Sequence, residues 1–329
     1  MQPSRRRLLH WALRILVSAA VLAIIFHVVP FREVWDAARR LPPWLWLSGF
    51  AMFLVGHMIT AAKWWMLIGA DIRFGQAFRA HLAGLGANLA LPGVAGGDVV
   101  RAGLVLSASG DKGRLAIGSL ADRLIDTISL GLVALGGAWF AFQTDGQTAM
   151  LTAAGVAVAL VLAVLMLRYL AAPLGGLATR IAGDGRVGRL LARATAILAD
   201  LGRKPGLLLA CLLLSLLVQS LFVAINIAFA LALGMTIPAA AWFYAWAAAK
   251  IIAILPISLG GLGVREASMA ALLSPFGASY GAVIAVGLIW QTVLYASGIV
   301  GIAIQSGFSA VARPAGSPRP DPQPHIGQI

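Results

Sequence analysis

Apolar windows of about 20 residues recur along most of this chain, and that is the length a helix needs to cross bilayer hydrocarbon. No other feature restricts the fold as strongly, because in lipid every backbone N–H and C=O must find its partner within the protein. Composition agrees: 60% of residues are apolar, 11% are charged and mean hydropathy is +0.90, whereas a soluble domain carries about 25% charged residues. The expected fold class is an all-α polytopic membrane protein, one helical bundle of 329 residues without a sizeable soluble domain.

Six full spans are expected, at 13–29, 42–62 (or on to 68), 115–142, 149–170, 206–233 and 280–304. The first follows a basic start and exceeds a usual signal-peptide core, so it reads as an uncleaved helix. Segments 81–107 and 239–275 are too glycine-rich or broken for ordinary spans and too apolar for loops. The expected organisation is a basic cytoplasmic N-terminus (1–12), a first membrane half (13–170), a basic linker (171–205), a second membrane half (206–308) and a disordered proline-rich tail (309–329).

The net charge of +13 does not point to nucleic acid, because it is clustered beside the spans. Arg5, Arg6, Arg7 and Arg14 crowd the N-terminus, and 168–204 holds seven basic residues against Asp184 and Asp200. That is the positive-inside pattern, with anionic lipid headgroups as partners and both termini cytoplasmic. Within the linker, Val187, Leu190, Leu191, Ala194, Ile197, Leu198 and Leu201 share one helical face and Arg186, Arg189 and Arg193 another, as in a helix lying in the cytoplasmic interface. Cys211 is a lone cysteine, and His10, His27, His57, His81 and His325 are scattered without metal-ligand spacing. No metal or cofactor is expected, and phosphate-loop, H-E-x-x-H and triad signatures are lacking.

Two stretches stand out: LPGVAGGDVVR at 91–101 and LPISLGGLGVR at 255–265 share six positions at an offset of 164 (255 − 91). Pro92 and Pro256 break a helix and free a carbonyl. The pairs Gly96–Gly97 and Gly260–Gly261 allow positive φ and close approach. A helix restarting after them presents free N–H groups suited to an anion, with Arg101 and Arg265 beside it to hold phosphate through a planar fork. Counting crossings makes 88–101 a hairpin entering from the cytoplasm and 254–266 one entering from outside, the pattern of an inverted repeat.

Further polar residues sit in apolar surroundings. Asp98 lies one helical turn before Arg101, Glu266 follows Arg265, and Asp122, Arg123 and Asp126 share one helix face, lining a cavity or pairing near the interface. Asn88 belongs with the first hairpin. Gln219, Asn226, Lys250 and Gln291 read as helix–helix hydrogen-bonding groups. Lys63, between aromatic clusters expected at the two interfaces, reads as snorkelling beside Trp64 and Trp65.

The segments NLALPGVAGGDVVRAGLVL, ADRLID and LPISLGGLGVREASMAALL resemble those of the lysylphosphatidylglycerol synthase transmembrane-region family, also called the flippase-like domain, over roughly 14–308. The resemblance implies a bacterial inner-membrane protein that moves a lipid between leaflets: a phospholipid, a polyprenyl-linked lipid or a hopanoid-type lipid. It does not imply lysyl transfer here, because the soluble catalytic domain of the lysyltransferases has no counterpart before the proline-rich tail. The expected site is a polar cavity in which Arg101 and Arg265 meet, with Gly96, Gly97, Gly260, Gly261 and Asn88 around the headgroup. Asp98, Glu266, Asp122, Arg123 and Asp126 are its charge partners. The other classes in play are a membrane partner of a glycosyltransferase or lipid-modifying enzyme, an intramembrane enzyme built on Asp98, Asp122 and Asp126, and an ion or small-solute transporter. The oligomeric state is not legible.

Overall fold

The computed structural model describes residues 32, 35, 36, 39–69, 71–90, 96–142, 185–253 and 263–311. The expected spans at 13–29 and 149–170, the breaks Pro92 and Pro256, the pair Gly260 and Gly261, and the tail beyond 311 lie outside the described residues, while 309–311, expected in the disordered tail, are helical. Among those residues every regular element is helical: α1 (Pro43–Ile68), α2 (Phe74–Ala90), α3 (Gly96–Val105), α4 (Lys112–Phe142), α5 (Arg186–Gly202), α6 (Pro205–Ala232), α7 (Ala239–Ile252), α8 (Val264–Leu273) and α9 (Tyr280–Val311), with a 3₁₀ turn at Ser274–Phe276.

Four of these helices, α1, α4, α6 and α9, are long and apolar enough to cross a membrane. Their outer faces carry large apolar side chains in helical register, such as Leu120, Leu124 and Ile128 on α4 and Leu209, Leu213 and Leu217 on α6. A soluble bundle would hide those residues, whereas a bilayer solvates them. Two spans begin on proline at their first position, where the lost N–H has no helical partner anyway: Pro43 in α1 and Pro205 in α6.

The broken segments behave differently. Ten residues of helix reach about 15 Å, half the hydrocarbon thickness, so neither α3 nor α8 can cross alone. α3 folds back along α2, with Gly97 against Gly84 and Arg101 level with His81. A methyl group on Gly84 would stand 2.7 Å from the Gly97 carbonyl oxygen, so only glycine admits this contact. The Asn88 side chain closes the neck by accepting from the Gly97 N–H at 2.7 Å.

Packing between elements is reciprocal. α2 lies along α9 and α7 along α4, while α1 pairs with α6. α1 and α6 run antiparallel: Gly49 meets Phe229, whereas Phe53 and Gly56 meet Phe222. The α4–α7 crossing is closed at Gly137, where a Cβ would strike the Tyr244 backbone. The α9–α2 crossing is closed at Gly301, where it would strike the Leu82 carbonyl. Those two glycines are again 164 residues apart (301 − 137). The largest core joins Phe53 of α1 and Val133 of α4 to Phe222, Trp246, Met269 and Trp290 of the second half. A second core packs Leu201 of α5 against Leu67, Leu208 and Cys211.

Candidate functional site

Where α1, α2, α3 and α4 meet, charges collect inside the bundle. Asp122 is fully buried, about 15 Å along α4 from its first residue. At that depth a carboxylate needs cations, and it has two: Arg101 Nη2 at 2.7 Å and Lys63 Nζ at 3.1 Å. Lys63 also pairs with Asp126, which accepts from the Ser215 hydroxyl of α6. Ser215 meets Ser129 at 2.8 Å, tying α6 to α4. Arg101 further approaches Asp98 at 3.1 Å and lies 4.6 Å over the Trp64 ring. Asp98 carries Arg123 as well. Three cations therefore face three carboxylates, and pairing of this kind is what makes buried charge tolerable.

Two histidines complete the cluster. Arg101 Nη1 stands 3.2 Å from His81 Nδ1, and His81 Nε2 stands 3.0 Å from His57 Nδ1. The His57 ring packs edge-on to Phe53 and near Phe222.

A second cluster surrounds Arg265. It pairs with Glu266 and donates to Gln291 Oε1 at 3.1 Å and, more weakly, to the Gly287 carbonyl at 3.5 Å. Glu266 also accepts from the Gly263 N–H at 2.8 Å, and Gly263 (φ 81°) takes the left-handed turn that starts α8. Gly287 leaves the space Glu266 fills, since a Cβ there would sit 2.6 Å from its Cγ. Lys250 of α7 is bonded to Gln219 at 3.0 Å and lies over the Trp246 ring at 4.7 Å. Asp126 of the first cluster and Arg265 of the second both act on its charge.

The residues expected from sequence are thus sorted. Asp98, Arg101, Asp122, Arg123 and Asp126 come together, and Asn88, Gly96 and Gly97 shape the hairpin that carries them. Arg265 and Glu266 form their own group. Among the described residues the two motif arginines share no hydrogen-bond or ion-pair partner.

Three expectations are corrected. Lys63 does not snorkel: it is 1% exposed and locked between two aspartates. Trp64 is no interfacial anchor, because it is buried under Arg101 and bonded to Ser119 at 2.9 Å. The helix-start amides are not all free for an anion either, because Asn88 takes that of Gly97 and Glu266 that of Gly263. Sequence reasoning also missed His57 and His81. Their distance of 24 residues carries no local signal, and only the α1–α2 packing brings them together.

At the start of α4, α5 is fastened by ion pairs. Asp111 starts α4, accepting from the Arg114 N–H at 3.0 Å, and pairs with Arg193 at 2.9 Å. Asp200 pairs with Lys204 at 3.0 Å and Arg114 at 3.3 Å. The Arg114 N–H foremost, then Arg193, holds the Asp111 carboxyl below the usual carboxylate range. The Lys204 hydrogen bond foremost does the same for Asp200.

The family model described as "Lysylphosphatidylglycerol synthase TM region" matches residues 11–301, and the chain belongs to that family. No curated protein matches the chain.

Proposed function

We propose that this member of the lysylphosphatidylglycerol synthase TM region family is a lipid transporter, not an enzyme, which passes an anionic headgroup between leaflets along the polar path between its two halves. The observation that carries the reading is the charge network at the α1–α4 junction. Ionisable groups at such depth are costly, and in membrane proteins they mark substrate or ion pathways. Leucine would fill the same space at no electrostatic cost.

The two halves form an inverted repeat on this reading. Antiparallel α1 and α6, the reciprocal α2–α9 and α7–α4 contacts, and closing glycines at the motif's own offset all support it. α2–α3 and α7–α8 are then re-entrant hairpins entering from opposite faces. Rocking one half against the other would alternate access. Arg123 and Arg265 keep part of their side chains exposed and offer the first grip on a lipid phosphate. Arg101, buried, receives it only by giving up a present partner for the headgroup. A tail in lipid and a phosphate in the protein suit a phospholipid, a polyprenyl-linked lipid or a hopanoid-type lipid bearing such a group.

Headgroup-labelled phosphatidylglycerol in proteoliposomes tests this, with translocation read by dithionite quenching of the inner leaflet. Arg101→Ala with Arg265→Ala should slow it at least tenfold while the protein still elutes as a folded species. A rate equal to wild type would refute transport through these arginines, and a wild-type rate no faster than that of protein-free vesicles would favour a non-transporting partner of a lipid-modifying enzyme.

A further inference from the structure

The chain Arg101–His81–His57 fixes where protons can sit. A guanidinium only donates, so His81 Nδ1, 3.2 Å from Arg101 Nη1, must offer a lone pair. The His81 ring proton is then on Nε2, which donates across 3.0 Å to His57 Nδ1. His57 in turn carries its proton on Nε2. Both rings are neutral for as long as Arg101 stays.

One more proton upsets this arrangement. If the His57–His81 bond is kept, the extra proton can sit on His81 Nδ1 directly. Alternatively, His57 becomes the donor and the His81 proton moves to Nδ1. Either way an Nδ1–H faces the Arg101 N–H, two donors against each other. Protonation of the pair and the Arg101–His81 contact therefore exclude one another.

We propose that His57 and His81 form a proton-binding site coupled to anion binding: when Arg101 leaves His81 for an anionic headgroup, the pair takes up one proton. The inference rests on the transport reading and adds the coupling ion to it. The charges around the pair favour this order of events. Lys63 of α1, Arg101 of α3, Arg123 of α4 and Lys250 of α7 face Asp98, Asp122 and Asp126, so four cations meet three carboxylates. A proton arriving alone adds to that excess, whereas a proton arriving with a phosphate monoanion does not. His81 meets Arg101 through Nδ1 and His57 through Nε2, so the anion held by Arg101 and the far ring of the pair lie on opposite sides of His81.

Histidine nitrogen NMR on the full chain in micelles, with ¹⁵N label and His57→Gln and His81→Gln for assignment, reads the proton positions. Both rings should show the Nε2–H tautomer near neutral pH, and Arg101→Gln, whose amide can accept as well as donate, should raise the protonation midpoint of the pair by about one unit or more. A His81 ring protonated on Nδ1, or a midpoint unmoved in Arg101→Gln, overturns the proposal. In a weakly buffered sample, dihexanoylphosphatidylglycerol binding, followed by equilibrium dialysis, should draw about one proton per lipid. That uptake should vanish in His81→Gln and with dihexanoylphosphatidylcholine. Binding without uptake sinks the coupling and leaves transport standing. If the anionic lipid does not bind, the transport reading and the coupling fall together, and the NMR arm alone decides whether the pair is a proton site.

Discussion

Lys63→Met is the sharpest perturbation of the charge network. The substitution keeps the length and apolar stem of the lysine and removes only its charge, in a position with no access to water. Asp122 would retain Arg101 at 2.7 Å, but Asp126 would lose its ion pair and keep the Ser215 hydroxyl as its hydrogen-bond donor. The cluster of three cations and three carboxylates would become two against three. At an effective dielectric near 20, the attraction across the 3.1 Å Lys63–Asp122 contact is about 5 kcal/mol. Desolvation offsets much of that when a whole pair is removed, whereas breaking one partner of a buried pair costs roughly 3–5 kcal/mol. The expected loss is in that range for Lys63→Met. Lys63→Met with Asp126→Leu should recover more than half, since no orphaned carboxylate remains. The assay is reversible unfolding by SDS in mixed micelles, followed by tryptophan fluorescence, on both variants and on Asp126→Leu alone. A loss below about 1 kcal/mol in Lys63→Met would refute the buried network and restore an interfacial, snorkelling lysine.

Gly301→Leu should press a side chain into the Leu82 carbonyl and Gly137→Leu into the Tyr244 backbone; each should cost about 1–3 kcal/mol or more, read as a drop in detergent melting temperature. Gly103→Leu, where nothing stands within 4 Å, should leave that temperature unchanged. Asn88→Leu strips the Gly97 N–H of its acceptor and should cost about 1–3 kcal/mol, with faster amide exchange at the start of α3. Asp111 and Asp200 both have folded values below the ordinary 3.8, so they stabilise α5 docking above that value and cease to do so as pH falls through the lower folded values. Protease cleavage beside Arg193 should therefore rise below about pH 4, and also with salt at neutral pH, because these pairs are exposed. Cleavage that ignores both would remove the ion pairs as the fastening.

How much of this was legible in one dimension depends on the range of the interaction responsible. Span boundaries were readable because lipid imposes a length: the expected 115–142 and 206–233 agree within a few residues with α4 and α6, and of the two ends expected for the span from 42, at 62 or at 68, α1 takes the later. The interruptions between α2 and α3 and between α7 and α8 fall where the repeated motif was read, because helix-breaking residues give a local signal. The Asp98–Arg101 pair was readable because one helical turn is a local distance. Lys63 was misread for the same reason. Its neighbours Trp64 and Trp65 describe an interfacial belt, and nothing within a turn announces the aspartates 59 and 63 residues on (122 − 63 and 126 − 63). His57 and His81 were passed over because isolated histidines have no pattern.

The amino-acid order alone determines that this chain lives in a bilayer, where its helices break and that the break is written twice. Those are consequences of transfer energy and backbone chemistry, which act residue by residue. Tertiary packing decided which charges are paired. The packing of α1 on α4 and the fold-back of α3 carry Lys63 and Arg101 to Asp122, the α1–α2 contact joins His57 to His81, and a buried charge is stabilised or ruinous according to neighbours that only three dimensions supply.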